Sequence, residues 1–382
     1  MTNTLRRKKV ILLHYIPTPY RVYLFNKINE YYHLNNIQFK VFFLSEGDKN
    51  RHWKKFDFQF DYEILKPNAI RLGKKDLYTF FINLNILSKI KSENPDKIIC
   101  FGWDNLAAYF TNYWARKNKR EFVLWSGSTE YEKSWRRVIF NPLVKYIVHN
   151  ATWCVGDGTR HKEYLLKLGS NAKKTEKFII QIDINLFNAK LATFTKNEKK
   201  NLKVNLGVTT TKLFLFNGQF IERKGVHDLL EGFEIYQKYD MDASLLFLGT
   251  GQEEENLLKR VNQNFIKNVF FHSFVQYEEV YKYFAISDLL ILPSREEAWG
   301  LVINEALICG LPVITTNKVG ASADLIHHGE NGYVIPSHSP ADIAEAIARI
   351  FENKLNVVNK SKEIISSFDT VKMIDDAVFL KF

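Results

Sequence analysis

A chain of two doubly wound α/β domains is the fold that this sequence predicts. Three observations carry it. Short apolar runs rich in Val, Ile, Leu and Phe recur along the chain without period-two alternation, as strands buried on both faces of a parallel sheet read. Amphipathic stretches of helical period separate them. The length, 382 residues, suits two domains rather than one.

In the first half the predicted strands are Val10–His14, Phe39–Leu44, Lys97–Phe101, Phe122–Trp125, Thr152–Val155 and Phe178–Ile182. A helix is expected over Arg21–Tyr32, with apolar positions at 22, 24, 25 and 28. In the second half the strands are Leu213–Gly218, Leu245–Gly249, Val269–Phe274, Leu289–Pro293, Pro312–Thr315 and Tyr333–Ile335. Helices are expected over His227–Tyr239, from about Leu301 to Cys309, over Ala341–Phe351 and over Val371–Leu380. Ala189–Lys212 is polar and lacks strong periodicity, so it marks the boundary. The domains expected are 1–188, 189–365 and a terminal helix, 366–382, packing back on the first domain.

With 46% hydrophobic and 25% charged residues, the chain can bury a sizeable core, which excludes long disorder. Cys100, Cys154 and Cys309 are scattered and form no metal-ligand spacing, as expected of buried thiols in a reducing compartment. The apolar stretch Val10–Leu13 ends at His14, too short for a signal peptide, and no run is long enough to span a bilayer. A cytoplasmic protein, soluble or peripheral on the inner face of the plasma membrane, is expected.

The net charge of +11 is unevenly placed: residues 1–190 hold 33 Lys and Arg against 17 Asp and Glu, and the remainder is acidic. The first half is therefore expected to meet an anionic partner. No nucleic-acid module is recognisable, which leaves an anionic membrane surface. Tyr109–Arg120 and Trp135–Phe140 combine aromatics with Arg and Lys, a composition suited to that interface.

Two blocks carry chemistry. In Pro293–Thr316 a buried strand ends at Pro293, a loop holds Glu296 and Glu297, and Gly300 opens a helix containing Glu305. A helix N-terminus at a strand's carboxyl end offers free N–H groups to a phosphate. Glu297 can accept hydrogen bonds from sugar hydroxyls, and Glu305 can take two ribose hydroxyls bidentately. In Phe214–Leu230 a strand ends at Asn217-Gly218, and Arg223 and Lys224 precede Gly225 and a helix. That Arg-Lys pair can neutralise a departing diphosphate.

These blocks resemble the retaining GT-B glycosyltransferases known as glycosyl transferases group 1, in particular members that build surface polysaccharide and lipopolysaccharide. The resemblance rests on Gly218…Arg223-Lys224-Gly225, on Leu246-Phe-Leu-Gly-Thr-Gly251, and on Glu297 and Glu305 with seven residues between them. Gly310-Leu-Pro-Val-Ile314 and Gly329–Pro336 also match, so the good match covers about 213–340. More loosely, Ile16-Pro-Thr-Pro-Tyr-Arg21, Gly156–Gly169 and Asp183–Phe187 resemble first-domain segments. Gln219 stands where many members have Arg, Ser126-Gly127-Ser128 where many have His, and Val319-Gly320 where a Gly-Gly pair is usual.

The resemblance implies two Rossmann-like domains facing a central cleft, and transfer of a hexose-type sugar from a nucleotide diphosphate, UDP before GDP, with retention and without metal or cofactor. Glu297, Arg223 and Lys224 would be catalytic. Gly218, Gly251, Trp299, Gly300, Leu301, Val302 and Glu305 would bind the donor. Pro19, Tyr20, Arg21, Ser126 and Gly127 would bind a saccharide acceptor, lipid-linked and used in surface polysaccharide synthesis. The other readings are an epimerase or phosphorylase on the same fold, or a nucleotide-sugar-binding protein without activity.

Overall fold

The computed structural model describes residues 6–47, 56–65, 68–71, 79–83, 85–132, 135–352 and 357–382, and gives only the backbone of 68–71, 79–82, 135–138, 357 and 358. It divides into two compact units: Met1–Ile180 with Thr370–Phe382, and Gln181–Asp369. The sequence placed the divisions at 189 and 366.

The strands of the first unit are β1 (Lys9–His14), β2 (Gln38–Phe43), β3 (Asp61–Ile64), β4 (Asn68–Arg71), β5 (Thr79–Ile82), β6 (Lys97–Phe101), β7 (Glu121–Ser126), β8 (Trp153–Gly156) and β9 (Thr175–Lys177). Its helices begin with α1 (Pro19–Leu34), α2 (Ile86–Glu93), α3 (Leu106–Lys117), α4 (Trp135–His149) and α5 (Thr159–Lys167). Seven strands form a parallel sheet in the order β3-β2-β1-β6-β7-β8-β9, and β4 and β5 pair as a separate antiparallel hairpin. β1 lies in the interior of the sheet, and Val10, Ile11, Leu12 and Leu13 are buried. Alternate residues supply two cores, with Ile11 and Leu13 in one and Val10 and Leu12 in the other. Phe178–Ile182 is not a strand: β9 ends at Lys177, the Phe178 N–H makes a last bond to the Gly156 carbonyl at 2.8 Å, and the apolar residues that follow are buried outside the strand. An apolar run signals burial, and burial here continues past the end of the strand.

The second unit opens with α6 (Ile184–Thr193) and α7 (Lys196–Asn205), where the sequence suggested an irregular linker. Thr195 and Glu198 form a capping box that starts α7, and no residue of α7 is buried. A helix without a buried face shows no apolar period to read. There follow β10 (Lys212–Asn217), α8 (Val226–Gln237), β11 (Ala243–Leu248), α9 (Glu254–Gln263), β12 (Val269–His272), α10 (Tyr281–Ile286), β13 (Leu289–Leu292), α11 (Val302–Ile308), β14 (Val313–Thr316), α12 (Ser322–Leu325), β15 (Gly332–Ile335), α13 (Pro340–Glu352) and α14 (Val357–Ser367). The sheet order is β12-β11-β10-β13-β14-β15, all parallel. Both units therefore have the doubly wound fold expected.

The chain then returns to the first unit as α15 (Thr370–Asp376) and a short 3₁₀ turn, Val378–Leu380. Phe379 is fully buried, its ring 5.2 Å from Trp125 and 6.2 Å from Phe178. The Tyr32 hydroxyl donates to the Leu380 carbonyl at 3.1 Å, and the Lys97 ammonium donates to the Phe379 carbonyl at 2.8 Å. Burial pulls the Lys97 pKa down, and Glu121 at 3.0 Å opposes that shift. No helix among the described residues is long and apolar enough to cross a membrane.

Phe379 closes the core of the first unit, so Phe379→Ala should destabilise that unit by about 3–5 kcal/mol. Urea unfolding followed by tryptophan fluorescence would measure it. A loss under about 1 kcal/mol would show that the terminal segment is not part of this core.

Candidate functional site

In the second unit the strand order reverses between β10 and β13. The segments leaving their carboxyl ends, 218–225 and 293–301, flank the point where open α/β sheets bind ligands. The backbone holds the two together. The Arg295 N–H donates to the Arg223 carbonyl at 2.8 Å. Gly225 has φ +67°, and a β-carbon there would come within 2.2 Å of the Pro293 carbonyl oxygen. Only glycine permits both the conformation and the approach. Arg295 completes the brace, donating to Asp228 at 2.9 and 3.0 Å and to Glu222 at 3.0 Å.

This brings Arg223, Lys224 and Glu297 together. Lys224 Nζ pairs with Glu297 Oε2. Arg223 Nη1 lies 3.5 Å from the same oxygen and donates to the Glu296 carbonyl at 2.6 Å. One carboxylate thus faces two cations, although the sequence assigned it to a sugar and them to a diphosphate. Its own backbone is fixed: the Glu297 N–H donates to the Lys318 carbonyl at 3.2 Å, and its carbonyl accepts from Gly320 at 3.1 Å. Gly218 borders the group, with the Lys224 Cε 3.9 Å from where its β-carbon would be. Gln219 is exposed. Gly251 lies against Phe220, and a β-carbon there would fall 2.3 Å from that residue's carbonyl oxygen. Its place in the fold is thus to let two loops approach.

Past Glu297 the loop turns through Gly300, at φ +94°, into the short α11. Leu301 and Val302 are half-exposed at its start. Trp299 is buried; its indole N–H donates to Asn304 Oδ1 at 3.0 Å, and Asn304 donates to Gln181 at the same distance. The indole N–H is thereby satisfied inside the unit. Glu305, one turn further, is 7% exposed, and burial pushes its carboxyl up to about 8. Such a group strongly favours hydroxyl donors if it is to carry charge.

In the first unit, Pro19 and Tyr20 are half-exposed at the start of α1, while Arg21 is buried. The Arg21 Nη2 donates to Asp157 Oδ2 at 2.8 Å, and the Trp125 indole donates to Asp157 Oδ1 at 2.8 Å. The Arg21 guanidinium also lies over the Phe101 ring at 4.5 Å. A β-carbon on Gly127 would meet Asp157 Oδ2 at 2.5 Å. Ser126 is buried, and its hydroxyl accepts from the Ser128 N–H at 3.1 Å. Arg21 and Gly127 thus converge on Asp157, and Arg21 serves that buried pair rather than open surface. The nearby His14 ring is held at about 3, chiefly by burial and then by Arg21, so it is neutral at physiological pH.

Arg295, Asn304 and Asp157 escaped the sequence reading. Each stands inside a quoted motif, and each has a partner distant along the chain: Asp228 for Arg295, Gln181 for Asn304 and Arg21 for Asp157. No local spacing could give those partners.

Residues 197–367 match the family described as Glycosyl transferases group 1. N-acetyl-alpha-D-glucosaminyl L-malate synthase of Bacillus anthracis is 28% identical over 193 residues, 47% of this chain and 50% of its own. D-inositol 3-phosphate glycosyltransferase of Pseudarthrobacter chlorophenolicus is 31% identical over 188 residues, 48% of this chain and 44% of its own. The aligned part of the chain spans about half the length of these curated relatives. Among solved structures, Anabaena Alr3699/HepE in complex with UDP superposes with a TM-score of 0.74 at 17% identity, covering 97% of this chain and 98% of that one. The lipopolysaccharide outer core galactosyltransferase WaaB, in its apo form, gives 0.70 at 16% identity, covering 98% and 100%. At these identities the structures establish the fold, that of GT-B glycosyltransferases.

The Glu305 environment makes a testable statement about pH. The folded carboxyl titrates near 8 and the ordinary value is 4.5. Between those values the folded protein keeps a proton that the unfolded chain has released, so stability falls as pH rises across the window. Glu305→Gln should remove that slope, gaining on the wild type by about 1 kcal/mol per pH unit. Urea denaturation between pH 5 and 8 measures the difference; parallel curves would contradict this environment.

Proposed function

We propose that this chain is a retaining glycosyltransferase that moves a hexose-type sugar from UDP to a saccharide acceptor. The acceptor is lipid-linked, the product serves cell-surface polysaccharide, and the enzyme works without metal at the cytoplasmic face of the membrane. The observation that carries the reading is the meeting of Arg223, Lys224 and Glu297 at the reversal of the second sheet, one loop before the buried Glu305. A diphosphate is the ligand that competes best with a carboxylate for two cations, because it offers more charge and more acceptor oxygens. The match of residues 197–367 supports a sugar-transfer domain, and the HepE complexes with UDP and with UDP-glucose support the donor class.

In the reaction proposed, the acceptor hydroxyl attacks the anomeric carbon on the face from which the diphosphate departs. The new carbon–oxygen bond forms as the bond to phosphate breaks, and the acceptor proton passes to a phosphate oxygen. Arg223 and Lys224 hold the diphosphate as charge builds on it, joined by the free N–H groups at Leu301 and Val302. Glu297, released from the cations, orients the sugar, and Glu305 accepts from the ribose hydroxyls. Pro19, Tyr20 and the Ser126–Gly127 turn border the acceptor, with Arg21 and Asp157 fixing the strand ends behind them.

A thermal-shift and turnover screen against UDP-, GDP- and ADP-sugars in EDTA tests this. UDP-sugars should raise the melting temperature, and Lys224→Ala should lower turnover by about a hundredfold or more. Equal turnover in Lys224→Ala, or in Glu297→Gln, would remove the role given to that residue.

A further inference from the structure

Of the large apolar side chains exposed among the described residues, six lie on two helices of the first unit: Leu106 and Tyr113 on α3, and Ile139, Phe140, Leu143 and Tyr146 on α4. The two helices adjoin. Arg116 donates to the Tyr146 hydroxyl at 2.8 Å, Asn112 donates to the Asn150 carbonyl at 3.4 Å, and Trp114, Ala115, Val144, Ile147 and Val148 enter one core. The inner face of α4 is therefore accounted for by Val144, Ile147 and Val148. Its outer face is apolar as well, with Ile139 60% and Leu143 50% exposed. A surface helix of a globular protein normally turns polar groups outward, and an apolar patch rimmed by polar residues marks an interaction surface.

The charge around the patch selects its partner. Neither Leu106–Lys117 nor Trp135–His149 contains an acidic residue, while Arg116, Lys117, Lys119 and Lys145 are exposed on or beside it. The nearest acids in sequence are Asp104, Glu121, Glu130 and Glu132; Glu121 is paired with Lys97 at 3.0 Å and Glu130 with Lys167 at 2.6 Å. A second copy of the chain docking through these helices would set their cations against their own duplicates, and neither helix carries an acid to offset them. An anionic bilayer offers both an apolar layer for the four α4 side chains and negative headgroups for the rim.

We propose that the outer faces of α3 and α4 form a membrane-docking surface, with Ile139, Phe140, Leu143 and Tyr146 entering an anionic leaflet and Arg116, Lys117, Lys119 and Lys145 meeting its headgroups. This deepens the membrane reading given above by assigning it a surface, and it rests on that reading for the enzyme's place but not for its chemistry. The surface belongs to the first unit, and the residues assigned to the donor belong to the second.

Flotation of the full chain with vesicles of phosphatidylglycerol and phosphatidylcholine, against phosphatidylcholine alone, tests it. The wild type should float with the anionic vesicles at low salt and be released as salt rises. Ile139→Asp/Leu143→Asp should bind at least tenfold more weakly, and Lys117→Glu/Lys145→Glu should lose binding by a similar factor. Emission from Leu143→Trp should shift to the blue on anionic vesicles only. Overturning results are three: no flotation of the wild type, unchanged flotation of the Ile139→Asp/Leu143→Asp variant, or a dimer by light scattering that this variant dissociates. UDP thermal shifts of the same samples separate the two readings. A retained shift with failed flotation sinks only the docking surface, and flotation without a UDP shift sinks only the donor assignment.

Discussion

The candidate donor site depends on one backbone constraint, the contact between the segments that follow β10 and β13. Parallel neighbours at a sheet's reversal send their loops to opposite faces. Here those loops are drawn back together by Arg295 N–H on Arg223 and by the approach of Gly225 to Pro293. Without that approach Lys224 and Glu297 would belong to separate loops. With it, a carboxylate and two cations occupy one place, and the buried Glu305 lies at a fixed distance along the same chain. The Arg295–Asp228 bridge braces the contact from the side of α8.

The pairing of Glu297 with Lys224 and Arg223 gives the arrangement a definite logic. Two half-buried cations left without a counter-ion would repel each other and cost solvation. The carboxylate offsets that cost, and in the function proposed it is exchanged for a diphosphate when the donor arrives. The exchange would leave Glu297 free to accept hydroxyl donors at the moment a sugar is present. In the first unit the Arg21–Asp157 pair does a different task. It is buried beneath aromatic rings and fixes the ends of β7 and β8 to α1.

The architecture was legible from the sequence because most of its strands are buried on both faces, so the apolar runs at β1, β6, β10 and β11 stand out without help from alternation. The short edge strand β3 has exposed and half-buried residues and gave no such signal. The end of α6 and the whole of α7 fall in the stretch 189–212 expected to be a linker, since α7 buries nothing. Phe178–Ile182 erred the other way, being apolar and buried but past the end of the strand. At the site, motif spacing brought Glu297, Glu305, Arg223 and Lys224 forward. It gave no sign of the bond that the Trp299 indole makes to Asn304. The brace by Arg295 and the convergence on Asp157 depend on contacts between residues 67 and 136 positions apart, which only the fold discloses.

The central claim is that Lys224 and Arg223 exchange Glu297 for a diphosphate. Calorimetric titration of uridine and of UDP into the wild type and into Lys224→Met addresses it directly. The account predicts that the wild type binds UDP far more tightly than uridine, and that Lys224→Met loses most of that preference while its weak affinity for uridine is unchanged. An undiminished preference for UDP in the variant would contradict it.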